Sequence, residues 1–171
     1  KYLIFTLDGG GDKECGTVSI GENGKITQIC SIPSTYSVGG IYSAITYLMG
    51  FKPHEHEYKI MGLAPYTQGH YGQEVYEKLN KILYLDGMNF QSSINEKLGN
   101  AGVLYAEVFK YERFDNMASG LQKFTEDLVC QWIKNAIKET GISNILLSGG
   151  VFMNVKVNQQ IANLPQVTSV D

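Results

Sequence analysis

Apolar positions near the start of the chain follow the spacing of β-strands. Residues 1–7, 14–20 and 25–32 predict three strands. An Asn-Gly pair at positions 23–24 joins the second strand to the third, and this pair is a strong signal for a tight hairpin. The sequence therefore predicts an antiparallel meander of three strands. The isoleucines of the third strand do not alternate strictly, so we expect that strand to be short or bulged.

Later in the chain, apolar residues recur with helical spacing. These patterns predict helices at residues 41–49, about 73–83, 114–140 and 154–163. For the longest helix we expect Asp115 as the N-cap and Gly141 as the residue that ends it, while Gly50 is expected to follow the first helix. Residues 33–40 are turn-rich, residues 52–66 lack clean periodicity, and residues 84–102 suggest loops with one short strand at most.

The last part of the chain predicts a βαβ unit. A strand at 143–147, a Gly-Gly turn, a helix and a strand at 167–170 follow one another, which favours parallel strands with a right-handed crossover. The fold class is therefore α/β, with helices packed on the sheet. A meander followed by helices and a βαβ unit fits the ribonuclease-H-like half of the actin-like ATPase fold. We expect a single domain over residues 1–171.

Size and charge exclude several classes of protein. The chain has 171 residues and a net charge of −3, which gives no electrostatic case for binding nucleic acid or an anionic membrane. No apolar run approaches the ~20 residues of a membrane helix, and no secretory leader is evident. The three cysteines form no C-x-x-C pair, so reduced thiols and a cytoplasmic location are expected.

The strongest candidate site follows the first strand, where the chain reads Asp8-Gly9-Gly10-Gly11-Asp12. Consecutive glycines remove side chains and let backbone N–H groups approach a ligand closely. An acidic group at the end of a buried strand is costly unless it is paired, holds a metal or orients water. This stretch suggests a phosphate-facing turn beside a carboxylate. A glycine-rich hairpin turn with two solvated acids explains it equally well.

A second candidate lies at the end of the strand predicted at 143–147. Gly149 and Gly150 allow a sharp turn, and the following helix directs its N-terminus into the same space. Asn154 either caps that helix or binds a ligand. The alternative is an ordinary turn from strand to helix.

A third candidate is the aperiodic segment 55–66, since binding residues are frequent in such loops. Lys59 follows Glu57 closely, so it either holds a phosphate or carboxylate oxygen or forms a surface ion pair. His54 and His56 have no third ligand nearby in sequence, which favours solvated histidines over a metal site. Arg113, the only arginine, is a candidate for holding an anion at the cleft.

Three motifs together resemble one family. Residues 7–12, 36–42 and 50–51 look like the carbamoyltransferase family that includes nodulation and antibiotic-tailoring O-carbamoyltransferases. Residues 57–66 read E-Y-K-I-M-G-L-A-P-Y and resemble its signature E-x-K-x-M-G-L-A-x-Y. Residues 149–158 read G-G-V-F-M-N-V-K-V-N and resemble its stretch G-G-V-x-x-N-x-x-x-N. The motifs occur in the same order as in the family and cover almost the whole chain.

The resemblance implies a function and its cofactors. Family members transfer a carbamoyl group from carbamoyl phosphate to a small-molecule hydroxyl through a carbamoyl-adenylate made with ATP. Their transfer domain is actin-like and binds a divalent metal, iron or magnesium. The H-x-x-x-H metal motif of the family does not occur here, so we expect the metal ligands outside this chain and the chain to be a fragment of a larger two-lobed enzyme.

The resemblance also suggests roles for the candidate residues. We expect the nucleotide to contact Asn154, the glycines at 9–11 and the glycines at 149–150. Asp8 and Asp12 are expected to orient the acceptor hydroxyl, water or a metal. Lys59 or Arg113 is expected to neutralise developing charge. The expected substrate contacts are Glu57, Lys59 and Tyr66.

Two other functions fit the same residues. An actin-like sugar or acid kinase shares the glycine-rich phosphate turn but transfers phosphoryl and needs no carbamoyl phosphate. Residues 61–66, M-G-L-A-P-Y, favour the carbamoyltransferases over such a kinase. A truncated nucleotide-binding domain that catalyses nothing is the third possibility.

Overall fold

The computed structural model describes residues 1–67 and 70–171. The strands in these residues are β1 (Tyr2–Gly11), β2 (Glu14–Glu22), β3 (Lys25–Pro33), β4 (Leu83–Asp86), β5 (Asn89–Ser92), β6 (Asn144–Ser148) and β7 (Ser169–Val170). The helices are α1 (Val38–Leu48), α2 (Glu57–Leu63), α3 (Gln73–Ile82), α4 (Gly102–Val108), α5 (Phe114–Thr140) and α6 (Val155–Ala162). The chain is an α/β protein, as its sequence predicts.

Five strands form one mixed sheet in the order β3-β2-β1-β6-β7. The first three strands pair antiparallel, which confirms the predicted meander. β6 pairs parallel with both β1 and β7, which confirms the parallel strands of the βαβ unit. The β2–β3 turn has positive φ at Asn23 (52°) and Gly24 (75°), the backbone that an Asn-Gly hairpin favours.

The third strand carries the expected irregularity. Val18 pairs with Cys30 and the next β2 residue, Ser19, pairs with Gln28, so Ile29 is an extra residue on β3. A bulge of this kind inserts one unpaired residue and increases the local twist. It explains why the isoleucines of this strand fail to alternate.

α5 packs its apolar face against the sheet. The indole of Trp132 meets the ring of Phe5 edge to face, with 5.0 Å between ring centroids, and both side chains are fully buried. The indole N–H donates to the carbonyl of Met88 at 2.8 Å, which ties the β4–β5 hairpin to the same helix. α5 ends at Gly141 in the left-handed region (φ 69°), as predicted.

Several element boundaries differ from the sequence-based expectations. α1 begins at Val38, inside the segment predicted as turn, because the hydroxyl of Ser37 accepts the N–H of Gly40 and caps the helix. Gly50 follows α1 with φ of 80°, as expected. The N-cap position of α5 is occupied by Arg113, so the prediction of Asp115 as N-cap is wrong; Asp115 lies in the first turn.

Three elements were not predicted. α2 lies within the aperiodic segment 52–66, and only Ile60 of its seven residues is fully buried, so it has no apolar stripe to signal a helix. Residues 84–102 contain most of a two-stranded hairpin, β4–β5, where at most one strand was expected. The third, α4, is separated from the end of this hairpin by nine residues and has one buried residue, Tyr105.

Candidate active-site cleft

A cleft of about 580 Å³ opens beside the end of β1. Its lining comes from Asp8 and Gly9, from α1, from the segment 54–61, from Thr125 of α5 and from the turn after β6. Small-molecule sites commonly enclose roughly 300–1,000 Å³. The two glycine motifs and the α2 motif, which lie far apart in sequence, therefore meet at one cavity of ligand size.

The glycine-rich stretch forms a bulge in β1. Leu7 pairs with Gly16 and Gly11 pairs with Glu14, so the three residues 8–10 stand opposite Cys15 alone. The hairpin turn itself is made by Asp12 and Lys13, which both have positive φ. The expectation that the glycines form the turn is wrong. Gly9 and Asp8 line the cleft, whereas the remaining members of the stretch, Gly10, Gly11 and Asp12, are not part of its lining.

Ser37 fixes the N-terminus of α1 against this bulge. Its buried hydroxyl donates to the carbonyl oxygen of Asp8 at 3.0 Å and accepts the N–H of Gly40 at 2.9 Å. A Cβ on Gly39 would lie only 3.0 Å from the backbone of Asp8, so glycine allows this close approach without displacing Asp8. The first turn of α1, with its partial positive charge, is therefore part of the cleft wall.

The two glycines after β6 have different positions. Gly149 has φ of 108°, which disfavours any side chain, and it packs on the backbone of Leu7 outside the cleft lining. Gly150 lines the cleft, and a Cβ there would lie 3.2 Å from Oδ1 of Asp8. The turn after β6 and the end of β1 thus form one continuous wall.

Asn154 caps α6 and also lines the cleft. Its Oδ1 accepts the N–H groups of Lys156 and Val157, each at 3.2 Å. Its side-chain amide pairs with the amide of Gln122 in both directions, at 2.8 and 3.1 Å. The hydroxyl of Tyr42 donates to the same Gln122 oxygen at 3.1 Å. Burial, together with the nearby carboxylates of Glu126 and Glu57, raises the pKa of Tyr42.

The α2 side of the cleft is organised by Glu57. Its Oε1 accepts the hydroxyl of Ser43 at 2.8 Å and the backbone N–H of His54 at 2.6 Å, which holds the segment before α2 against α1. Lys59 is half-buried and lies over the ring of Phe51 at 5.7 Å; it does not line the cleft. Tyr66 also lies outside the lining and is 75% exposed.

Arg113 lies outside the cleft lining, at the start of α5. Its guanidinium donates two hydrogen bonds to the carboxylate of Asp115, at 3.0 and 2.9 Å. The hydrogen bonds from Arg113 lower the pKa of Asp115, and the same pairing raises the pKa of the arginine. Arg113 is therefore paired with a neighbouring carboxylate and is not among the residues that line the cleft, where it was expected to hold an anion.

The cleft wall offers mainly hydrogen-bond acceptors. Three hydroxyl groups of the wall donate their protons to acceptors of the protein itself: Tyr42 to Gln122, Ser43 to Glu57 and Thr125 to the carbonyl of Leu121. Their oxygens remain free to accept. The carboxylates of Asp8, Glu55 and Glu57 add negative charge, and the lining found in residues 1–67 and 70–171 contains no Lys or Arg. This wall suits ligand groups that donate hydrogen bonds.

The described residues show no preformed metal centre. Within the part of the chain that the structure describes, no three side chains of His, Cys, Asp or Glu converge to hold an ion. Over the same residues, no helix has the length and apolar character needed to cross a membrane.

Several residues of the cleft were not identified from the sequence. Tyr42 and Ser43 line the cleft from α1 and Thr125 lines it from α5, while Gln122 of α5 lies behind the wall as the partner of Tyr42; the sequence pattern of both helices indicated core packing. A polar residue inside the apolar stripe of such a helix can indicate a buried hydrogen-bond network, because a buried amide or hydroxyl requires partners. Gln122 is 4% exposed and Thr125 is 1% exposed, so both fit this signal.

Comparison with known proteins shows related sequences. The nodulation protein NolNO of Sinorhizobium fredii is 26% identical over 168 residues, which cover 94% of this chain and 24% of that protein. The uncharacterized protein MJ1051 of Methanocaldococcus jannaschii is 30% identical, covering 95% of this chain and 32% of its own length. A tRNA N6-adenosine threonylcarbamoyltransferase of Borrelia hermsii is 30% identical over 114 residues, 58% of this chain and 34% of that enzyme.

The chain therefore spans about a quarter to a third of the length of these relatives. The family described as "Carbamoyltransferase N-terminus" matches residues 1–169, almost the entire chain. The match includes all three motifs that meet at the cleft. The chain belongs to the carbamoyltransferase family, within the region described as its N-terminus.

Proposed function

We propose that this chain forms the nucleotide-binding part of an O-carbamoyltransferase. The whole enzyme would move a carbamoyl group from carbamoyl phosphate, through a carbamoyl-adenylate, to the hydroxyl of a small molecule. One observation carries the proposal: Asp8, Gly150 and Glu57, each from a different family motif, line the same cleft. Family membership supports the carbamoyl chemistry.

The sheet supports a finer assignment of the fold. Its order β3-β2-β1-β6-β7, with three antiparallel strands followed by two parallel ones, fits the ribonuclease-H-like half of the actin-like ATPase fold. We propose that fold for this chain. Ligands of open α/β sheets lie outside the carboxyl ends of the strands, which is where Asp8 and Gly150 are found here.

The residues of the cleft fit a nucleotide. Gly39 and Gly150 leave the wall without Cβ atoms, so phosphate oxygens can reach the backbone there, whereas the N–H of Gly9 already donates to Oδ1 of Asp8. The first turn of α1 supplies N–H groups that have no partner within the helix, one of them (Gly40) capped by Ser37, and the positive end of the helix dipole. The hydroxyls of Tyr42 and Ser43 donate to Gln122 and Glu57, so their oxygens can accept hydrogen bonds from the ribose hydroxyls.

A divalent cation fits this site best when it arrives with phosphate. Mg²⁺ is commonly bound through one or two carboxylates together with substrate phosphates. Asp8 would hold it here, beside Gly9, and the cation would offset the repulsion between phosphate and the carboxylates of the wall. Iron, which needs a denser ligand set, finds none in the described residues, so its ligands would lie elsewhere in the enzyme.

The chain's residues suggest how transfer would proceed. In the proposed step, the acceptor oxygen attacks the carbamoyl carbon, the bond from that carbon to the phosphate oxygen breaks, and AMP leaves. Asp8 would receive the proton of the acceptor hydroxyl. The N-terminus of α1 would stabilise negative charge on the reacting oxygens, a role we assign to it in place of Lys59 or Arg113, which do not line the cleft.

The test uses the purified full-length protein with ATP and Mg²⁺, with and without carbamoyl phosphate. Pyrophosphate released from ATP only in the presence of carbamoyl phosphate supports the proposal, and AMP follows once an acceptor hydroxyl or water takes the carbamoyl group. ADP formed without it supports an actin-like kinase and overturns the proposal. Calorimetry with a non-hydrolysable ATP analogue then locates the site: Gly150→Val should abolish binding, whereas Gly102→Val, at a position that is not part of the cleft lining, should not.

A further inference from the structure

Gln122 lies behind the cleft wall with every hydrogen-bonding position of its amide used. The residue is 4% exposed and lies on the core face of α5. Its Oε1 accepts from Tyr42 at 3.1 Å and from Asn154 at 2.8 Å. Its Nε2 donates to Asn154 at 3.1 Å and to Glu126 at 2.7 Å. Gln122 therefore has nothing left with which to bind a ligand directly.

The orientation of this network follows from the helix cap. The backbone N–H groups of Lys156 and Val157 point at one atom of the Asn154 side chain, which must therefore be the oxygen. The amide nitrogen of Asn154 then faces Gln122, so the atom of Gln122 that meets it must be its own oxygen.

The oxygen of Gln122 also determines where the proton of the Tyr42 phenol lies. Because Oε1 of Gln122 carries no hydrogen, the phenol must donate to it, and the phenol oxygen is left as an acceptor. Burial and the carboxylates of Glu126 and Glu57 keep this phenol protonated by raising its pKa. Tyr42 is among the residues that line the cleft, so a ligand group that contacts its phenol oxygen meets that oxygen as an acceptor.

We propose that Gln122 is a positioning residue that makes the Tyr42 oxygen a hydrogen-bond acceptor and so lets the cleft select nucleotides whose ribose carries a free hydroxyl. This inference rests on the proposed function, since the nucleotide is the ligand it concerns. Without Gln122, the phenol proton is free to rotate toward the cleft, and the same atom then meets a ribose hydroxyl as a competing donor.

The experiment measures dissociation constants of the full-length protein for non-hydrolysable ATP and its 2′-deoxy and 3′-deoxy forms, by calorimetry with Mg²⁺. We expect the wild type to prefer the ribonucleotide over one deoxy form by about five- to tenfold, the strength of one hydrogen bond. Tyr42→Phe and Gln122→Met should each reduce that preference to less than twofold. The double variant should show no further loss.

Two further variants separate positioning from stability. Gln122→Glu retains an oxygen that accepts from Tyr42, so the ribose preference should survive even though a carboxylate beside Glu126 lowers stability. Gln131→Met is the matched control, because Gln131 lies on the same helix, is exposed and bonds only to Asn135 among the described residues. This control should leave both affinity and preference unchanged.

The possible outcomes distinguish a failure of this inference from a failure of the proposed function. A Gln122→Met protein that keeps its ribose preference, or loses affinity for all three nucleotides equally, overturns the inference while leaving the proposed function intact. If Gln122→Met does not fold, a folded Gln122→Glu protein without the preference overturns it as well. A wild type that binds none of the nucleotides overturns the proposed function, and the inference falls with it.

Discussion

Gly149 lies so close to Leu7 that a Cβ atom on it would be 2.9 Å from the carbonyl carbon of Leu7 and closer still to its oxygen. The same glycine has φ of 108°, a conformation that L-residues rarely adopt. This contact brings the turn after β6 against the end of β1. It therefore places Gly150 beside Asp8 and closes one wall of the cleft.

Gly149→Ala is expected to destabilise the protein by about 3 kcal/mol or more, because both the backbone strain and the collision with Leu7 act together. Urea denaturation followed by circular dichroism measures the free energy of unfolding. Gly102→Ala is the control: its Cβ would meet nothing within 4 Å, so a change within ~0.5 kcal/mol is expected. Equal losses for the two variants would contradict the role assigned to Gly149.

Asp8 and Asp12 flank the same glycines, and only Asp8 lines the cleft. Asp8→Asn should weaken binding of a Mg²⁺–nucleotide complex about tenfold or more, since it removes the carboxylate available to the cation. The fold should persist, because Ser37 bonds the backbone oxygen of Asp8 and not its side chain.

Asp12→Asn is the control for that comparison. Asp12 has φ of 44°, and asparagine tolerates left-handed backbone well, so the turn should be retained. The dissociation constant should stay within twofold of the wild type. A larger effect of Asp12→Asn than of Asp8→Asn would refute the assignment of the cleft carboxylate.

The elements predicted correctly are those whose own sequence pattern, a turn pair or an apolar period, matches the way they pack in the fold. The Asn23-Gly24 hairpin, the long helix α5 and the parallel strand β6 all have strong patterns of their own. α2 and α4 were missed because each buries a single residue completely, so a helical period leaves no trace in their apolar positions. Their helical form depends on contacts with the rest of the fold.

The residues of the candidate site were likewise predicted only in part from the sequence. Asp8, Gly150 and Asn154 were found because glycine and acid at strand ends are visible in sequence. Tyr42 and Gln122 are separated by 80 positions, and only the packing of α1 against α5 brings them together. Lys59 was selected for its charge and its position in the motif at residues 57–66, and Arg113 for its charge just before the long helix. Neither signal gives the direction in which a side chain faces.

Glu57 and Arg113 provide a second comparison of binding. Glu57→Ala should weaken nucleotide binding about tenfold, because Ser43 and the backbone of His54 lose the acceptor that holds this side of the cleft. Arg113→Ala should leave the dissociation constant within twofold, since its side chain is 79% exposed and paired with Asp115. A strong effect of Arg113→Ala would show that the rest of the enzyme brings this arginine to the ligand.

Cys15 makes stability depend on pH in alkaline solution. Burial raises the pKa of its thiol from 9.0 to about 12 in the folded protein. Above pH 9 the unfolded chain releases this proton while the folded chain retains it, so the contribution to stability is complete below pH 9 and falls as the pH rises toward 12.

Denaturation of the wild type and Cys15→Ala at pH 8 to 11 tests this expectation. The stability difference between the two proteins should shrink by on the order of 1 kcal/mol per pH unit above pH 9. Parallel stability profiles for the two proteins would show that the thiol titrates equally in both states.

Asn154 has two functions that substitution can separate. Asn154→Ala removes the cap of α6 and leaves Gln122 with unmade bonds, so a loss of about 2 kcal/mol is expected. Asn154→Asp keeps an oxygen for the N–H groups of Lys156 and Val157 and adds a charge that favours the helix N-terminus. It should therefore recover most of the helix stability.

The Asp variant should nevertheless bind nucleotide poorly, because its second oxygen faces Oε1 of Gln122 in place of a donor and disturbs the partner of Tyr42. Urea denaturation and calorimetry on the same samples give both quantities. Asn163→Ala, an exposed asparagine at the end of α6, is the control and should change neither. If Asn154→Asp restores binding as fully as it restores stability, the amide pair with Gln122 serves only the fold, and the acceptor oxygen of Tyr42 is set by some other contact.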